Sequence, residues 1–191
     1  MGNLNTVRNE LRRRRQAIAG MLRQQKSAAA AQYAQQFLAQ LPQAQHIGVF
    51  LSLPEEIDTS VLVDTLWRQK KSLYLPVVKE KQAALAWREY RRDTVLIKDI
   101  FGIATPSDAS AEWQGDFDVV LVPLVGVDVK GNRLGMGGGF YDRTFADKIR
   151  GHRPWLIGFA YECQLIDHIQ RRDWDVPLDA LATDAQLLHF I

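Results

Sequence analysis

One cysteine, Cys163, stands among 191 residues. A lone thiol closes no internal disulfide and builds no cysteine metal cluster, so a reducing cytoplasm is the expected compartment and packing the expected role of Cys163. Charge of one sign is also scarce: the formal net charge is +2, too small to predict a nucleic-acid partner. No apolar run approaches the roughly 20 residues of a membrane span, and the N-terminus lacks the apolar stretch of a signal peptide. No membrane is therefore expected. Met1-Gly2 with Thr6 fits a loose N-myristoylation pattern, which recurs by chance and is discounted. There is no internal repeat. What remains is an ordinary globular composition, 47% hydrophobic and 24% charged, at a length that predicts one domain over residues 1–191 and, by default, a monomer.

Periodicity predicts alternating helices and strands. Leu4, Val7, Leu11, Ile18 and Leu22 recur at helical spacing over about Leu4–Gly20, and Ser27 is placed to cap a second, alanine-rich helix that runs to about Gln40. Strands are expected at His46–Leu51, Ser72–Val78, Leu85–Tyr90, Val119–Val127 and Pro154–Ala160, the first and fourth buried, with Pro76 marking an edge, a bulge or a strand end. Helices are expected over about Thr59–Lys70, with Val61, Leu62, Leu66 and Trp67 inward, from near Gly139, and over about Glu162–Ile169. The stretch Phe101–Gly115 reads as loop. Together these predict an α/β fold, a mostly parallel mixed sheet flanked by helices.

Three features carry chemistry. The first is Arg133-Leu134-Gly135-Met136-Gly137-Gly138-Gly139-Phe140-Tyr141-Asp142-Arg143, four glycines in five positions between a strand and a helix. Without side chains, backbone N–H groups can converge on an anion, and phosphate is the natural guess; a tight capping turn is the alternative. The loop fits neither a Walker pattern, which needs Lys then Ser or Thr after the last glycine, nor the dinucleotide fingerprint, which needs glycine where Phe140 stands. The second is a basic helix face of Arg8, Arg12, Arg13, Arg14 and Arg15, read as solvated unless one or two guanidinium forks reach an anionic ligand. The third is the loop Ser52–Asp58, whose Glu55 and Glu56 follow a strand at the edge where α/β sheets bind ligands.

Taken in order, these blocks resemble the 5-formyltetrahydrofolate cyclo-ligase family, also called methenyltetrahydrofolate synthetase. The resemblance rests on Arg133-Leu134-Gly135 through Tyr141-Asp142-Arg143 preceded by Val122-Pro123 and Asp128, on Arg8 with Leu11-Arg12, on Glu56-Ile57-Asp58-Thr59, and on Trp174-Asp175 with Pro177, Asp179 and Thr183. It spans nearly the whole chain. The resemblance implies a fold of the type shared with sugar-phosphate isomerases and CoA transferases, and a reaction that consumes ATP with Mg²⁺. In that reaction the formyl oxygen of 5-formyltetrahydrofolate is phosphorylated and the 10-nitrogen closes on the activated carbon, giving 5,10-methenyltetrahydrofolate. It assigns ATP to Arg8, Arg12, Arg133, Leu134, Gly135, Met136, Gly137, Gly138, Gly139, Phe140 and Tyr141. Folate, which can be polyglutamylated, falls to Leu51, Glu56 and Met136–Phe140, and Mg²⁺ to Asp142 and Asp175. Two positions depart from the family pattern: Phe140 stands where a tyrosine is common, and Thr105-Pro106 where Glu-Pro is frequent. For Trp67, Trp87, Trp113 and Trp155 packing is the leading reading.

Overall fold

The computed structural model describes residues 4–190; Met1-Gly2 of the myristoylation pattern lies outside them. In chain order the elements are α1 (Leu4–Gln16), α2 (Gly20–Ala39), β1 (His46–Gly48), α3 (Ser60–Arg68), β2 (Ser72–Val77), β3 (Ala86–Glu89), β4 (Leu96–Lys98), β5 (Ala104–Pro106), β6 (Val119–Val122), β7 (Gly126–Asp128), β8 (Arg133–Leu134), α4 (Phe140–Thr144), β9 (Trp155–Phe159), a 3₁₀ turn (Glu162–Gln164), β10 (Leu165–Ile166), β11 (Ala180–Ala182) and β12 (Leu187–His189).

The main sheet has seven strands in the order β12-β11-β9-β6-β1-β2-β3. Its five central strands are parallel, and β3 and β12 close the two edges antiparallel. Alternation along the strands divides the interior. Ile47, Leu73, Val119, Leu121 and Ile157 face α2 and α3, while Tyr74, Val120, Val122, Leu156 and Leu181 face the side that carries α4. A smaller sheet, β10-β7-β8, supports α1 through Leu11, Val125, Leu134 and Ile169.

Three leucines pack so closely on β9 that one of its positions needs glycine. A Cβ on Gly158, in the middle of β9, would come within 2.7–2.9 Å of Leu178, Leu124 and Leu181. Gly158→Ala is therefore expected to cost about 1–3 kcal/mol by overpacking, read as a fall of several degrees in Tm.

Several sequence expectations need correction. The first helical pattern is two helices, because α1 ends at Gln16 and Gly20, at φ +55°, opens α2. Ser27 caps nothing: it is buried inside α2, and its hydroxyl accepts the Asp58 N–H at 2.9 Å. Val61 is exposed, and Val63 takes its place inward with Leu62 and Leu66. The run Val119–Val127 is two strands in different sheets, separated at Pro123. Part of the expected loop is strand, since β5 pairs with β4 as a hairpin. The helix expected over Glu162–Ile169 is only the 3₁₀ turn, because the Gln164 side chain reaches back to the Tyr161 N–H and across to the carbonyls of Leu124 and Val125.

Candidate active site

The parallel strands run β2-β1-β6-β9-β11, so the chain leaves β1 toward one edge of the sheet and leaves β6 toward the other. Between their carboxyl ends lies the switch-point crevice where open α/β sheets bind ligands. One wall is the loop after β1, with Leu51, Glu55 and Glu56. The other is Pro123–Val125.

Arg15 bridges the two walls. Leu4, Val7, Leu11 and Arg15 fall three or four residues apart, so Arg15 continues the stripe by which α1 packs, rather than its solvent face. It is fully buried, donates to the Leu124 carbonyl at 3.2 Å, and sits 3.5 and 3.6 Å from the carboxylates of Glu55 and Glu56. Arg15 thus fills neither role expected of the arginine face, solvated charge or contact with an anionic ligand: it is a core residue. Arg13 and Arg14 do stay in solvent, clamped by Glu10 at 3.0 Å.

Glu56 is buried and turned back onto its own loop, accepting the Leu53 N–H at 3.0 Å. Burial pushes its carboxyl above the usual range, against the opposing pull of that N–H and of Arg15. Leu51 is half-buried and packs on the core beneath.

The glycine loop closes the crevice from the other side. Asp128 sets it up: its carboxylate accepts the N–H groups of Lys130, Asn132 and Ile169 and the Asn132 amide, fixing the turn that delivers Arg133. Burial alone would raise the Asp128 carboxyl, but these bonds outweigh it and hold the group below its usual value. Gly137 at φ +104° and Gly139 at φ +64° give the loop a course that side-chain-bearing residues rarely follow. Met136, Gly137 and Gly138 are exposed, and α4 follows with only five residues. The loop's amides, not a long helix dipole, are what it offers an anion.

Helix α1 and this loop meet directly. Arg8 Nε donates to the Gly135 carbonyl at 2.9 Å, and Arg8, Arg12, Val125 and Met136 line a cleft of about 320 Å³. Arg12 lies 3.6 Å from Glu55, and its Nε is buried with no acceptor. At the far end of the loop, Arg133 pairs with Asp142 at 2.5 Å and lies over the Tyr141 ring. The Tyr141 hydroxyl is buried without a partner, within electrostatic reach of Arg133 and Glu56, and burial raises its pKa. The Phe140 ring meets Arg143 at 5.1 Å and, edge-on, Phe101 at 6.0 Å.

The two carboxylates expected to hold a cation lie close in the fold. Asp142 Oδ1 accepts both Arg133 and the Val176 N–H at 3.1 Å, which brings it beside Asp175. Asp175 Oδ2 accepts the Arg172 N–H at 2.8 Å. Among the described residues, the second oxygen of each takes no hydrogen bond, and no group of three or more His, Cys, Asp or Glu is placed to hold a metal. Two open carboxylate oxygens fit Mg²⁺, which takes one or two protein carboxylates and completes its shell with water and phosphate.

The structure thus brings Arg8 and Arg12 to the glycine loop, and Arg133 to Tyr141 and Asp142. Glu56 and Leu51 stand across the crevice, joined to the glycine-loop side through Glu55, Arg12 and Arg15. Gln164 and Leu124 carry no signal in the sequence, and Arg15 stands there only as part of the basic face; the spacing from Leu11 to Arg15 was the available signal for its burial.

Guanidinium groups, a glycine loop and two carboxylates beside the switch point of an open α/β sheet are the makings of an α/β enzyme site with room for an anion. The sequence model of the 5-formyltetrahydrofolate cyclo-ligase family matches residues 2–184. A 5-formyltetrahydrofolate cyclo-ligase from Haemophilus influenzae is 36% identical over 176 residues, 90% of this chain and 92% of the relative. One from Escherichia coli K12 is 36% identical over 147 residues, 75% of this chain and 80% of the relative. The fold matches a solved 5,10-methenyltetrahydrofolate synthetase from Aquifex aeolicus with a TM-score of 0.81 at 23% identity, covering 98% of this chain and 92% of the other. The chain belongs to the 5-formyltetrahydrofolate cyclo-ligase family.

Proposed function

We propose that this protein cyclises 5-formyltetrahydrofolate to 5,10-methenyltetrahydrofolate at the expense of ATP, releasing ADP and phosphate. The observation that carries the site assignment is the meeting of α1 with the glycine loop, where Arg8 bonds Gly135 and shares a cleft with Arg12 and Met136. Phosphoryl transfer asks mainly for positioning and charge neutralisation. Arg8, Arg12 and Arg133 supply cations, and the backbone from Leu134 through Gly135, Met136, Gly137, Gly138, Gly139 and Phe140 to Tyr141 supplies donors for ATP. The orphaned Arg12 Nε and Tyr141 hydroxyl are donors that lack an acceptor in the free protein.

The folate lies across the crevice. Glu56 accepts the pterin N–H edge, Leu51 packs on it, and the outer backbone of Met136–Phe140 faces the formyl group. Asp142 and Asp175 hold Mg²⁺, which when bound neutralises charge on the phosphates. The formyl oxygen takes the γ-phosphoryl group and ADP departs. The 10-nitrogen then closes on the formyl carbon and gives up its proton, and the phosphorylated oxygen leaves as phosphate. Water must be kept from the phosphorylated formyl group, and the burial around Glu56, Arg15 and Tyr141 does this.

The finer properties follow the same reading: one domain over residues 1–191, acting as a cytoplasmic monomer on a folate that carries one or more glutamates. The fold is grouped with that of sugar-phosphate isomerases and CoA transferases, on the resemblance of the motif blocks. Incubating pure protein with 5-formyltetrahydrofolate, ATP and Mg²⁺ should generate the methenyl chromophore with one ADP per product. No chromophore under conditions where an established cyclo-ligase works would overturn the assignment.

A further inference from the structure

A second groove, of about 340 Å³, opens between the end of β2 and the β4–β5 hairpin, lined by Val78, Lys79, Arg88, Ile97, Lys98 and Pro106 among others. It lies on the same carboxyl edge of the sheet as Glu56. Strand β2 pairs directly with β1, one step of about 4.8 Å from the strand whose loop carries Glu56. The hairpin also reaches the glycine loop, since Phe101 at its tip touches Phe140. A ligand seated at Glu56 and running along that edge arrives in this groove.

The groove's charges are unevenly committed. Lys79 is held by Glu112 at 2.6 Å, and Asp99 spends one oxygen on the Phe101 and Ile103 N–H groups at the hairpin tip. Lys98 has no ion-pair partner among the described residues. Arg88 is the telling group: its side chain is only 11% exposed, yet the carboxylate it pairs with, Asp108, is 90% exposed, and its Nε is buried with no acceptor. A nearly buried guanidinium whose counter-ion stands in solvent can exchange that counter-ion for a ligand carboxylate without uncovering itself.

Resting on the cyclo-ligase reading, we propose that this groove receives the glutamyl tail of the folate, with Lys98 and Arg88 binding its carboxylates. The chemistry of the lining selects that ligand. A glutamyl chain alternates methylene stems with carboxylates, and the groove alternates apolar wall, from Val77, Val78, Ile97 and Pro106, with single cations. Departure of Asp108 from Arg88 accompanies tail binding, so Asp108 acts as a competing, built-in carboxylate.

Two variants of opposite sign test this. Steady-state KM is measured with 5-formyltetrahydrofolate as triglutamate, as monoglutamate, and as the tail-less 5-formyltetrahydropteroate. Lys98→Gln, at an exposed position, should raise KM for the triglutamate roughly two- to fivefold, the range of one exposed ion pair. Asp108→Asn should lower it by a similar factor. In both, kcat and the KM for the tail-less substrate stay unchanged. An equal KM shift with the tail-less substrate, or no shift with the triglutamate, overturns the proposal. Failure of the wild-type protein to form the methenyl product from any of the three would instead overturn the cyclo-ligase reading on which it stands.

Discussion

Asp142→Asn is expected to lower kcat by about a hundredfold or more while moving Tm by only a few degrees. The asymmetry comes from how the two oxygens are used. Oδ1 takes the Arg133 guanidinium and the Val176 N–H, and an asparagine Oδ1 keeps both as acceptor. Oδ2, which accepts nothing from the described residues, becomes an NH₂ group that cannot ligate a cation. Arg133 loses a full counter-charge but stays hydrogen-bonded and over the Tyr141 ring, so the stability cost is that of a weakened charge-assisted bond, about 1 kcal/mol. Loss of a cation that neutralises phosphate charge removes several kcal/mol of transition-state stabilisation. Chelating the divalent metal should bring wild-type turnover down toward that of the variant and leave the variant unaffected. Retained turnover with undiminished Mg²⁺ dependence would show that Asp142 does not hold the metal.

The sequence carried the sheet better than its surroundings. Val119–Val122 could be read as buried strand because every residue is apolar, which is what a central parallel strand buried on both faces requires. That same continuity hid the break at Pro123, since Val125 and Val127 are as apolar as what precedes them but serve the smaller sheet. The hairpin was illegible for a different reason: strands of three residues, Leu96–Lys98 and Ala104–Pro106, are too short for alternation to register. Tertiary contacts overrode local signals elsewhere, as when Ser27 bonded Asp58 instead of capping a helix.

Within the site, the glycine loop and its Tyr-Asp-Arg ending were visible because glycine spacing is itself a backbone statement. What could not be read was which charges would be buried. Glu56 and Glu55 look alike in sequence, yet Glu56 is turned inward onto Leu53 and Glu55 faces two arginines. Five arginines in eight positions do not say which of them stay in solvent. Helical spacing splits them into a pair toward the cleft, Arg8 and Arg12, a pair on Glu10, and one in the core.

That core arginine carries the other large expected effect. Arg15→Met removes the guanidinium facing Glu56 and leaves a buried carboxylate without its cation, a change worth about 3–5 kcal/mol and roughly ten degrees of Tm. The pH dependence identifies the stranded partner. Burial places the folded-state pKa of Glu56 above its unfolded value, so this group's contribution is fully favourable below the unfolded pKa and is lost as pH rises through the folded one. Arg15 opposes that shift by favouring the charged form, and without it the folded pKa climbs further. The gap in Tm between wild type and Arg15→Met should thus be widest near neutral pH and narrow as pH falls and Glu56 takes up a proton. Adding Glu56→Gln removes the buried charge and should recover most of the stability at neutral pH, without restoring folate affinity. A Tm gap that stays constant with pH, or a double variant no more stable than Arg15→Met, would mean that Arg15 acts through its bond to Leu124 rather than through Glu56.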